Sequence, residues 1–87
     1  MFFEKDKYYV FVKYKHDDII HYQIIYVRED FDKCCEFLIE YYKTHLWLDY
    51  SFCEIIDYAI VYVDMHMNLT TLSGLKEKLD KGEKIYE

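Results

Sequence analysis

Eighty-seven residues suffice for one hydrophobic core and are too few for two, so a single domain over residues 1–87 is expected. Apolar residues make up 53% of the chain and aromatic residues 21%, which excludes the apolar-poor profile of a disordered protein. A formal net charge of -6 with one arginine argues against direct nucleic-acid binding, because a phosphate backbone would be repelled.

The N-terminus, Met1 to Lys7, lacks the apolar stretch of a signal peptide, and the longest apolar run, Tyr58 to Val63, falls far short of the roughly 20 residues of a membrane span. A cytoplasmic location without membrane contact is therefore the expectation. The three cysteines agree with it, since Cys34 and Cys35 are neighbours and Cys53 stands apart, which favours reduced thiols. Asn68-Leu69-Thr70 matches a glycosylation sequon that has no meaning without secretion.

From Tyr8 to Lys15 the chain is rich in aromatic and β-branched residues, His16-Asp17-Asp18 interrupts, and Ile19 to Val27 repeats the same chemistry. This pattern predicts an antiparallel hairpin. Ile20, Tyr22, Ile24 and Tyr26 share one face of its second strand and Ile19, His21, Gln23, Ile25 and Val27 the other. Neither face is polar throughout, so the core side is left open.

Phe31, Cys34, Cys35, Leu38, Ile39, Tyr42 and Leu46 then recur at the spacing of an amphipathic helix. Asp30 suits its N-cap, Asp32 complements the helix dipole, and Glu36 and Glu40 fall on the outer face. Ser51-Phe52-Cys53-Glu54 fits a capping box and predicts a short helical turn over residues 52–57. Strict alternation from Tyr58 to Met67 predicts a strand, internal to the sheet because both its faces carry large apolar side chains. Leu72, Leu75 and Leu79 mark a final helix, with Thr70 or Thr71 at its start and Gly82 as a left-handed C-cap. The reading is an α+β fold in the order β-β-α-β-α, with a small antiparallel or mixed sheet of about three strands and two helices on one face.

Catalytic signatures are missing: there is no glycine-rich phosphate loop, no Gly-x-Ser-x-Gly, no Cys-x-x-Cys and no His-Glu-x-x-His. Neither catalytic residues, nor a metal site, nor a cofactor is expected, and the protein is read as a binding protein and not an enzyme. His66 with Asp64 is the best single polar pair, and a solvent-facing pair at a strand end accounts for it.

Between Lys43 and Lys76 no basic residue occurs, while Asp49, Glu54, Asp57 and Asp64 lie among Trp47, Tyr50, Tyr58 and Tyr62. These eight residues form the candidate partner-binding site. An acidic aromatic surface complements a protein with a basic groove, a nuclease or other nucleic-acid-binding protein being the commonest kind. An acidic edge that serves solubility alone would give the same pattern. Eleven tyrosines in 87 residues exceed what a small core can hold with every hydroxyl paired, so some are expected at an interface. Codon bias is the competing explanation, because the abundant Ile, Lys, Asp, Glu, Phe and Tyr share A/T-rich codons. The small size, acidity, tyrosine content and lack of catalytic motifs resemble phage-encoded inhibitors, anti-CRISPR proteins and DNA mimics among them, in type alone and without a shared motif. The function expected is inhibition of a nucleic-acid-handling partner; the alternative is a homodimer or accessory subunit assembled through its tyrosines.

Overall fold

The computed structural model describes residues 3–44 and 53–85. Their order is β1 (Lys7–His16), β2 (Ile19–Arg28), α1 (Phe31–Thr44), β3 (Glu54–Val63), β4 (Leu69–Leu72) and α2 (Leu75–Lys81). The protein is α+β, with one antiparallel sheet of four strands in the order β2-β1-β3-β4 and two helices on one of its faces.

The hairpin closes with two residues, Asp17 and Asp18, at φ 52° and 63°. Both are left-handed, as a type I′ turn requires, and aspartate tolerates that conformation better than most residues. Across the sheet, Val10 faces Ile60 and Val12 faces Tyr58, and these four side chains form the floor of the core. A register shift between Val10 and Phe11 against β2 leaves Ile25 as an extra residue and bends that strand.

Helix α1 begins where Asp30 accepts hydrogen bonds from the amides of Asp32 and Lys33 at 2.9 and 3.4 Å, the N-cap geometry expected from the sequence. It buries Cys34, Cys35, Leu38 and Tyr41 against the floor, and Phe37 stacks on Tyr26 of β2 at 4.0 Å. Leu75 and Ile85 complete the same core from the C-terminal side. Gly82 stands at φ 72°, and the amides of Gly82 and Glu83 reach the carbonyls of Leu79 and Lys78, a left-handed cap as expected.

Three expectations are corrected. Residues 54–57 are extended, not helical, because they pair with β1. The third strand accordingly ends at Val63, and residues 64–68 form a turn in place of the rest of the Tyr58–Met67 strand. Thr70, Thr71 and Leu72 belong to a fourth strand paired with β3, and Gly74 at φ 74° takes the position before α2. With β1 on one side and β4 on the other, β3 is internal, as expected. Leu46, placed in the first helix by its spacing, lies outside the described residues.

Candidate functional site

The described residues of the acidic aromatic interval do not share one surface. Trp47, Asp49 and Tyr50 lie outside the described residues. The other five are distributed along β3 and the turn after it, and strand alternation divides them between opposite faces. Tyr58 points toward the helices and is 1% exposed, with the Tyr42 ring edge-on to it at 6.2 Å. Tyr62 shares that face near the far end, packs on Tyr8 at 4.6 Å, and donates its hydroxyl to the Asp6 carboxylate at 3.0 Å. That hydrogen bond to a carboxylate holds the Tyr62 phenol above its usual range.

The acids are engaged as well. Asp57 accepts hydrogen bonds from the backbone amides of Tyr58, Gly74 and Lys76 at 2.8, 2.8 and 3.1 Å, fastening the start of α2 to β3. Asp64 accepts from the amides of Asn68 and His66 at 2.9 and 2.8 Å, and these bonds keep its carboxyl below the usual range. The pair of His66 with Asp64 is thus a backbone contact that shapes the turn. Glu54 is exposed and lies opposite Lys15, while Asp57 lies opposite Lys13. The lysines absent from the interval in sequence are supplied by the neighbouring strand. From Glu54 to Asp64 an extended chain covers about 33 Å, so the two outermost acids stand at opposite ends of the sheet.

A different surface emerges on the face away from the helices. Cross-strand partners share a face, so Tyr9, Phe11, Lys13 and Lys15 of β1 align with Val27, Ile24, Tyr22 and Ile20 of β2 and with Val61 and Ala59 of β3. Half of this face is closed: Phe3 meets Tyr9 edge-on at 4.9 Å, and Tyr9, Val61 and Val63 are buried. The half toward the hairpin turn is open. There Ile20 and Tyr22 are 44% and 64% exposed, the Lys13 ammonium sits 5.8 Å from the Tyr22 ring centroid, and Ile19, on the opposite face of the same strand end, is 59% exposed. A shallow depression runs from Tyr22 and Phe11 past Ala59 to Thr71 and Ser73.

β2 is also an edge. Among the described residues its outer side has no strand neighbour, and from Ile19 to Val27 it contains no lysine, carboxylate or proline. Edge strands are usually blunted by such residues. The signal was present in the sequence as a strand with no polar face, but which face the helices cover is decided by the packing of Phe37 and Leu38. Asp17 and Asp18, whose side chains are 84% and 96% exposed, rim the open end.

Among the described residues no three histidine, cysteine or carboxylate side chains are grouped to hold a metal ion, and no helix is long and apolar enough to cross a membrane. Comparison with protein-family models, curated proteins and solved structures finds no match to this chain.

Proposed function

We propose that this is a binding protein whose contact with a protein partner is made by the open end of the sheet and the edge of β2. The observation that carries this reading is the unblunted edge itself, with Ile19, Ile20 and Tyr22 exposed along it. Such an edge offers a row of free backbone donors and acceptors for an added strand, and the apolar side chains supply the surface that a contact buries. Tyrosine is well suited to its centre, since it brings large area at low entropic cost.

The net charge of -6, with the exposed carboxylates of Asp17 and Asp18 at this end, favours a partner with a basic docking surface. A nucleic-acid-handling protein is the commonest bearer of a basic groove, and inhibition would follow from occupying it. A second reading, self-assembly through the same strand, is favoured by the lack of carboxylates from Ile19 to Val27, where two copies of an acidic chain could meet without repulsion.

Sedimentation of the pure protein and of the variants Ile20→Lys and Tyr22→Lys tests both readings. A monomer whose captured partner is lost in the lysine variants supports the first, and a dimer that these variants dissociate supports the second. A monomer whose partner binding is unchanged in both variants overturns the assignment of the edge.

A further inference from the structure

At the hairpin end of the sheet a thiol stands beside an imidazole. β1 and β3 are antiparallel with Lys15 opposite Glu54, so the next rung of the ladder brings His16 level with Cys53. Cys53 Sγ lies 3.4 Å from His16 Nδ1, and His16 Nε2 lies 3.3 Å from the Asp17 carboxylate. A carboxylate can only accept, so it selects the ring form with the proton on Nε2 and leaves the Nδ1 lone pair directed at the sulfur. Nucleophile, base and orienting acid are thereby arranged in series. All three belong to the surface: Cys53 is half-buried, and the side chains of His16 and Asp17 are 48% and 84% exposed.

We infer that Cys53 is a modification site, a nucleophilic thiol that exchanges with low-molecular-weight disulfides, with His16 as its base and Asp17 as the positioning residue. In the exchange, the Cys53 S–H proton passes to His16 Nδ1 while the sulfur attacks one sulfur of the small disulfide. The small disulfide's S–S bond breaks as the new one forms, and the departing thiolate takes the proton back from the imidazolium. One thiol and one disulfide are consumed and one of each is produced, so no further oxidant is needed.

The other two cysteines provide an internal contrast. Cys34 and Cys35 are buried in the core, where desolvation pushes both thiols up, that of Cys35 to about 11. Neither a small disulfide nor a base can reach them without opening α1. Three thiols in one short chain are therefore divided into two inert ones and one that is accessible.

The test is time-resolved intact-mass analysis and peptide mapping of the reduced, native full chain incubated with oxidised glutathione. A single adduct on Cys53 is expected, with Cys34 and Cys35 reacting only after denaturant is added. His16→Ala should slow the reaction by about a hundredfold, the lower end of what a positioned base contributes, and added free imidazole should restore part of the rate. Asp17→Asn keeps a residue tolerant of the left-handed turn and should give a rate between those of wild type and His16→Ala. A thiol that was merely packed there would ignore imidazole. A first adduct on Cys34 or Cys35, or an undiminished rate in His16→Ala, overturns the inference, and a wild-type rate in Asp17→Asn removes Asp17 from it.

Discussion

Asp57 is half-buried, and its carboxylate accepts three backbone amides from two elements, a role no neighbouring side chain among those named can assume. Asp57→Ala would leave those part-buried and exposed donors to water and should lower stability by about 0.5–2 kcal/mol in urea unfolding, the usual range for a lost cap. Asp64 makes a different prediction. Its folded-state carboxyl is held below the ordinary 3.8 by amide hydrogen bonds, so its contribution is fully present above that value and lost as pH falls through the lowered one. Asp64→Asn cannot gain this charge-dependent stabilisation. The stability gap between wild type and Asp64→Asn, followed by urea melts from neutral pH downward, should narrow below pH 3.8. Asp80 behaves alike, its carboxyl lowered first by the Tyr42 hydroxyl, whose hydrogen bond joins α1 to α2, and then by Lys76 of its own helix.

Among the elements, α1 was the most legible in the sequence, because a 3.6-residue period and an Asp cap are local signals that packing then reinforces. Only its register on the core is shifted, Tyr41 being buried and Tyr42 half-buried. β4 was not legible, since Thr70 and Thr71 serve equally well as helix caps or as strand residues, and four residues carry too short a pattern to decide. Residues 54–57 were misread for a related reason: a serine and a glutamate three apart satisfy a capping box, but pairing with β1 supplies more hydrogen bonds than one helical turn could. Leu38, fully buried in the core cluster with Val10, Val12 and Ile60 of the sheet, anchors α1. Leu38→Ala should destabilise by about 2–5 kcal/mol in urea, the cost of lost burial plus the cavity left behind. Glu36→Ala, on the exposed side of the same helix, should stay within about 0.5 kcal/mol of wild type.

For the molecule as a whole, the grouping of charges in space could not be read from charge order along the chain. Glu54 and Asp57 seemed to belong to an uncancelled acidic tract, yet an antiparallel neighbour sets Lys15 and Lys13 opposite them. What the sequence did contain was a second hairpin strand with apolar residues on both faces, and a sheet covered by helices on one side must leave such a strand's other face and its outer edge to solvent or to a partner. An edge of this kind is also where unfolding intermediates add to one another. Ile20 and Tyr22 are on the open face and away from the helix-side core, but their cross-strand partners are Lys15 and Lys13, so lysine at each position should lower urea stability by about 0.2–1 kcal/mol through a like-charge pair while leaving the fold intact. It should also delay aggregation on heating, because two added charges on an edge repel an incoming strand that wild type would accept. Light scattering during a thermal ramp reads this without knowledge of the partner. If the double-lysine variant scatters as strongly as wild type at the same fraction unfolded, β2 is not the adhesive edge of this protein, and the contact surface must be sought elsewhere on the sheet.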